Sequence, residues 1–299
     1  MKGFVNHREA ILDLLQSVLF EEHYRRPRAS APIPPKRGIV SQEKGLGHEG
    51  DIYGMGKVFQ SVLHIVYPPR CTVCGTHVET DFALCGPCWR DTPFISGLVC
   101  DLCGVPLPGD ADPADTVPVH CDTCLTVARP WHRGRAAMLY RDNGRRLVLA
   151  LKHGDRHDIV HPAALWLAQA ARPLLHQDSL IVPVPLHWTR LIARRDNQAA
   201  LLSRALSRRV GLPHCPDLLQ RPHRTKSLGG LNRAARFETL EGAIRPNPRR
   251  HDRIAGRRIL IVDDVMTSGA TLAAAARACL GAGAAEICVL ALARAGRDA

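Results

Sequence analysis

The residues whose types and spacing carry most chemistry lie near the C-terminus, in the run Ile259-Leu260-Ile261-Val262-Asp263-Asp264-Val265-Met266-Thr267-Ser268-Gly269-Ala270-Thr271. Four apolar residues read as a central strand, two carboxylates follow at its C-terminal tip, and small residues lead into an Ala-rich helix. The loop amides, with the hydroxyls of Thr267, Ser268 and Thr271, suit a phosphate group held at a helix N-terminus. Gly269 and Ala270 let the backbone come close to such a ligand. Asp263 and Asp264 are acceptors for two hydroxyls of a sugar, and their charge favours a cation developing on its ring. A Mg²⁺-binding acidic pair beside a nucleotide P-loop would need a G-x-x-x-x-G-K-[ST] partner, and this chain has none.

A second constellation lies upstream. Eight of the eleven cysteines fall between residues 71 and 124 as Cys71/Cys74, Cys85/Cys88, Cys100/Cys103 and Cys121/Cys124. Two cysteines separated by two residues form a knuckle whose thiolates converge on one ion, and two knuckles complete a tetrahedral zinc site. The spacing suggests two successive ribbons, Cys71/74/85/88 and Cys100/103/121/124, with an interleaved pairing as the alternative. Gly75, Gly86 and Gly104 stand where the backbone must turn around sulfur. A closed four-thiolate shell leaves no position for water, so the metal role is structural and contributes folding energy. His77 and His120 read as bystanders, and Cys215, Cys279 and Cys288 as buried or incidental.

Both constellations need elements to position them. From Trp131 onward apolar patterning alternates between strands (136–140, 179–184, 258–262, 286–293) and helices (145–152, 162–171, 197–210, and an Ala-rich one to Leu280). That order implies a mostly parallel sheet covered on both faces, with ligands outside the carboxyl ends of its strands. The turn Val182-Pro183-Val184-Pro185-Leu186-His187 leaves a strand at the same edge, where Val184 and Pro185 can present backbone to a pyrophosphate. Arg190, Arg194 and Arg195 follow, and Arg221, Arg224, Lys226, Arg233 and Arg236 lie on an expected flap whose cations would neutralise that group.

The totals agree with this division. A formal charge of +12 favours polyanionic partners, while aromatics at 5% argue against a base-stacking platform. No apolar run of about 18 residues is present, and no secretory pattern opens the chain, so a cytoplasmic protein without a membrane span is expected. Residues 1–54 read as a Pro-, Arg- and Gly-rich extension, and their Gly45-Leu46-Gly47-His48-Glu49-Gly50 lacks the strand and helix a dinucleotide site requires.

The 259–271 run resembles the signature of parallel-sheet phosphoribosyltransferases. Together with the cysteine pairs, Leu151-Lys152, the Val182–His187 turn, Asn197-Gln198-Ala199, Thr225-x-Ser227, Arg236 and Gly242-Ala243, it makes the chain similar to the ComF family from about Met55 onward. The resemblance implies a type I phosphoribosyltransferase-like α/β fold, with a parallel sheet flanked by helices and preceded by a small zinc-ribbon module. It divides the chain into an extension (1–54), a double zinc ribbon (55–130) and a phosphoribosyltransferase-like domain (131–299), with Met55 as the expected start. It further implies phosphoribosyl pyrophosphate with Mg²⁺ as ligand, phosphoribosyl transfer as activity, and a link to DNA uptake. The alternative is a non-catalytic module that senses the metabolite or binds single-stranded DNA or uptake proteins. The chain departs from the family in Arg194-Arg195-Asp196-Asn197-Gln198, where an Arg-Gly-aromatic-Asn-Gln run is usual, and at Leu228 and Thr239, where Gln and Asn are usual.

Overall fold

Runs of consecutive apolar, β-branched residues with no polar alternation belong in strands covered on both faces, and the computed structural model places two of them side by side. It describes residues 67–110, 117–153, 156–187, 196–223 and 232–296. The extension 1–54, the apolar stretch before Tyr67, and Arg190, Arg194, Arg195, Arg224 and Lys226 lie outside the described residues.

The principal sheet is parallel, with spatial order β1 (Arg133–Leu139), β6 (Glu286–Arg294), β5 (Arg258–Met266) and β2 (Leu180–Pro183). Pro183 is tolerated because β2 is an edge strand. The strand expected at 258–262 continues to Met266, pairing with β6 through Asp263↔Ala291 and Met266↔Arg294. Both carboxylates therefore stand within the strand rather than beyond its tip.

Successive side chains of a strand point to opposite faces, and here each face has its own core. On one face Leu260, Val262, Leu290 and Leu292 meet Leu147 and Leu151 of α3 (Asp142–His153), Leu167 of α4 (Val160–Ala171) and Leu202 and Leu206 of α5 (Gln198–Val210). Asn197 caps α5, accepting from the amides of Ala199 and Ala200 at 3.1 and 3.4 Å, and Gly211 ends it at φ 71°. On the other face Ile259, Ile261, Val289 and Ala291 meet Ala273, Ala276 and Cys279 of α7 (Ala270–Gly281). Cys100, Cys103, Cys124 and Trp131 join the same cluster.

The cysteine-bearing segment is thus part of the sheet's packing. Residues 93–95 run along the open edge of β1, with the Ile95 amide donating to Ala137 at 3.0 Å and the Leu139 amide to Pro93 at 2.9 Å. That covers an edge which would otherwise expose unpaired backbone groups. Gly134 and Gly104 mark the closest approach. A Cβ on Gly134 would stand 2.3 Å from the Leu102 carbonyl oxygen, and one on Gly104 2.8 Å from the Ala136 nitrogen. A minor antiparallel pair, β3 (Leu219–Gln220) with β4 (Arg245–Pro246), flanks α6 (Arg233–Thr239) in the chain. No helix among the described residues is long and apolar enough to cross a membrane.

Candidate functional site

The carboxyl ends of β5 and β2 meet at one edge of the sheet. Pro183 is level with Val262, and the Val184 amide donates to the Val262 carbonyl at 2.9 Å, so the Val184-Pro185 turn stands beside Asp263. Asn197 holds this turn, its Nδ2 donating to the Val184 carbonyl at 3.1 Å. From Met266 the chain turns through Thr267 and Ser268 to Gly269, whose φ of 79° lies in the left-handed region that favours glycine, and enters α7. The Ala270 amide donates to Ser268 Oγ at 3.3 Å. The loop residues Thr267, Ser268, Gly269, Ala270 and Thr271 are therefore contiguous with the N-terminus of a buried helix, where free amides and the helix dipole favour an anion.

The two carboxylates behave differently. Asp264 shares the parity of Leu260 and Val262, and Lys152 Nζ at the end of α3 reaches its Oδ2 at 3.1 Å. Both side chains are largely buried, at 20% and 14% exposure. Asp263 lies on the opposite parity, and its Oδ1 accepts from the Asp264 amide at 2.8 Å. Burial, and then the Asp264 charge, push the Asp263 carboxyl up to about 8, against the pull of Lys152. In the ligand-free protein the Asp263 carboxyl is therefore largely protonated at neutral pH.

Cations gather around the loop. Arg236 on α6 donates from Nη1 to Thr267 Oγ1 at 3.3 Å, which brings this flap residue to the loop. Arg294, at the end of β6, donates from Nη1 to the carbonyls of Met266 at 3.1 Å and Thr267 at 2.8 Å. Arg129 donates from Nη1 to the Ser268 carbonyl at 2.7 Å and lies 5.4 Å over the Trp131 ring. Arg129, Trp131, Lys152 and Arg294 had no place among the sequence-derived site residues. Arg129 and Arg294 are separated from the loop in sequence, and nothing in their local pattern marks them. Lys152 carried one signal, its place in the Leu151-Lys152 pair that the chain shares with the ComF family. Asp196, at one position departing from the family pattern, makes a pair with His157 at 3.1 Å instead.

The eight cysteines form two sets, Cys71/74/85/88 and Cys100/103/121/124, and the sulfurs of each set lie within 4.8 Å of one another. Pairing is sequential, not interleaved. Cys74 and Cys85 sulfurs are 3.6 Å apart, and those of Cys103 and Cys121 are 3.7 Å apart. Tetrahedral zinc with bonds of roughly 2.3 Å places its sulfurs about 3.8 Å apart, so both sets fit the ion. Each opening knuckle turns at a glycine, Gly75 at φ 76° and Gly104 at φ 66°, whose amides donate to the carbonyls of Cys71 and Cys100. Gly86 differs: it opens the short helix α1 (Gly86–Arg90) without positive φ and with open space around it. Among the isolated cysteines, burial pushes Cys279 up to about 12 and Cys288 to about 11, so both stay protonated thiols.

Comparison with known proteins follows the same division. Residues 62–128 match the double zinc ribbon domain and residues 196–299 the phosphoribosyl transferase domain. The chain is 30% identical over 238 residues to "Competence protein F" of Haemophilus influenzae, spanning 78% of this chain and 93% of that protein. It is 29% identical over 236 residues to "DNA utilization protein YhgH" of Escherichia coli K12, spanning 77% and 99%. To "Competence protein ComFC" of Bacillus subtilis it is 26% identical over 207 residues, spanning 68% and 80%.

Proposed function

The chain belongs to the ComF family, that of competence protein F, and from that premise we propose that it binds phosphoribosyl pyrophosphate with Mg²⁺ and transfers the phosphoribosyl group in the service of DNA uptake. The observation that carries this reading is the convergence, at one sheet edge, of the Asp263/Asp264 pair with the 267–271 loop and the cations Lys152 and Arg236. In this reading the loop amides hold the 5-phosphate and the carboxylates accept from the ribose hydroxyls. The backbone of Val184 and Pro185 faces the pyrophosphate. Arg190, Arg224 and Lys226 complete the proposed cationic surround.

The C1–oxygen bond breaks with its electron pair leaving on pyrophosphate, and an acceptor nitrogen forms the new bond at C1 and releases a proton. Mg²⁺ bound with the ligand would supply neutralisation of pyrophosphate charge. The chain's own residues supply positioning and stabilisation of the ring cation. Asp264, paired with Lys152 at 3.1 Å, is the group that faces that cation in this reading. The zinc clusters take no part in the chemistry. We place the protein in the cytoplasm.

The test is calorimetric titration of phosphoribosyl pyrophosphate with Mg²⁺ into the zinc-loaded protein, beside the Asp263→Asn/Asp264→Asn double variant. Saturable binding lost in the variant supports the reading, and absence of binding to folded wild type removes it. Pyrophosphate release with candidate amines then separates an enzyme from a sensing module. The second module reading, a single-stranded-DNA surface, predicts salt-sensitive DNA binding that survives Asp264→Asn.

A further inference from the structure

The second cysteine cluster touches the phosphate loop through one side chain. Arg129 follows Cys124 by five residues, after the short helix α2 (Asp122–Thr126). From there its Nη1 reaches the Ser268 carbonyl at 2.7 Å. Trp131 braces it from below, its own Nε1 donating to the Leu102 carbonyl at 2.6 Å, inside the knuckle between Cys100 and Cys103. The contact leaves no slack. A Cβ on Gly269 would stand 2.9 Å from Arg129 Nη1 and 3.2 Å from the Trp131 ring.

The consequence follows from peptide geometry. A planar trans peptide points its carbonyl and the following amide in opposite directions. Arg294 takes the carbonyls of Met266 and Thr267, and Arg129 takes that of Ser268. Three consecutive carbonyls are thereby turned toward arginines, and the amides of Thr267, Ser268 and Gly269 are turned the other way. Those are the amides a phosphate would use. We propose that Arg129 is a positioning residue that couples the second cysteine cluster to the phosphate loop, so that zinc at Cys100/103/121/124 sets the loop's affinity for the 5-phosphate. The coupling rests on the phosphoribosyl reading only for its ligand; the loop geometry itself is independent of it.

The experiment uses the full chain with both clusters loaded with zinc, as wild type, Arg129→Ala and Arg129→Lys. Three quantities are read: zinc content, hydrogen exchange of amides 267–271, and affinity for phosphoribosyl pyrophosphate with Mg²⁺. Arg129→Ala should keep its zinc, speed exchange of these amides about tenfold, and weaken the ligand about ten- to hundredfold, the usual worth of a hydrogen bond from a charged group. Arg129→Lys, which keeps a donor for Ser268 but loses the planar stack, should recover part of both effects. Chelation of zinc should raise loop exchange in wild type and add less than twofold in Arg129→Ala, because the link is already cut. Zinc loss from Arg129→Ala, exchange within twofold of wild type, or chelation acting equally on both proteins would each overturn the proposal. If wild type fails to bind the ligand but Arg129→Ala still loosens the loop, the coupling stands and the phosphoribosyl reading falls.

Discussion

Replacing Asp263 by Asn should stabilise the ligand-free protein at neutral and alkaline pH while removing an acceptor that the proposed ligand needs. The folded carboxyl is pushed up to about 8 by burial and by Asp264, from an ordinary value of 3.8. The sign follows from proton counting. Between about pH 4 and pH 8 the folded state holds a proton that the unfolded state has lost, so stability falls as pH rises through this window and levels off above it. Each unit is worth about 1.4 kcal/mol, so the roughly three units crossed by pH 7 set a ceiling of about 4 kcal/mol. Relaxation around the site reduces the effect, and about 2 kcal/mol at pH 7 is the expected gain. Asparagine keeps the backbone hydrogen bond in place, since its Oδ1 can still accept from the Asp264 amide at 2.8 Å. Urea unfolding of both proteins at fixed pH values from 6 to 8.5, with zinc present, measures the difference. The gain of Asp263→Asn should widen by about 1–2 kcal/mol between pH 6 and 8. A variant less stable than wild type, or a gap independent of pH, would refute the assignment of a protonated Asp263.

Three further outcomes follow from the packing. Gly269→Ala places a side chain at φ 79° and against Arg129 and Trp131, so stability should fall by about 1–3 kcal/mol and ligand affinity with it, as read by thermal unfolding and calorimetry. Gly134→Ala drives a methyl to 2.3 Å from the Leu102 carbonyl oxygen; the second cluster must shift off β1, at a cost of about 2–4 kcal/mol, and its zinc should exchange faster with a chelating dye. Cys74 is exposed whereas Cys100 and Cys103 have 0% exposure within the sheet's core. Stepwise chelation should therefore release the first zinc at a lower chelator concentration than the second, with the circular dichroism of the α/β domain retained through both steps.

How the molecule divides between sequence and fold is visible in particular residues. The strand at Ile259–Val262, the helix over 197–210 and the small-residue loop at Gly269 are local, so propensity and apolar periodicity made them legible without coordinates. The same holds for the two cysteine sets, whose two-residue gaps are the geometry of one knuckle, and for the acidic pair beside a small-residue loop. What only the tertiary structure decided is everything that depends on distance through space. Alternation on β5 sends Asp264 toward Lys152 and Asp263 to the opposite face, where its carboxyl is pushed up, a distinction invisible in two identical letters. Sequential pairing of the clusters, and the burial of the second in the sheet's core, required the folded chain. So did the grip of Arg129 and Arg294 on the loop, because no local pattern sets one arginine among many apart from solvated surface. Composition and spacing identify the groups that can do chemistry, whereas burial and long-range hydrogen bonds determine which of them are charged, which are held still, and which face the ligand.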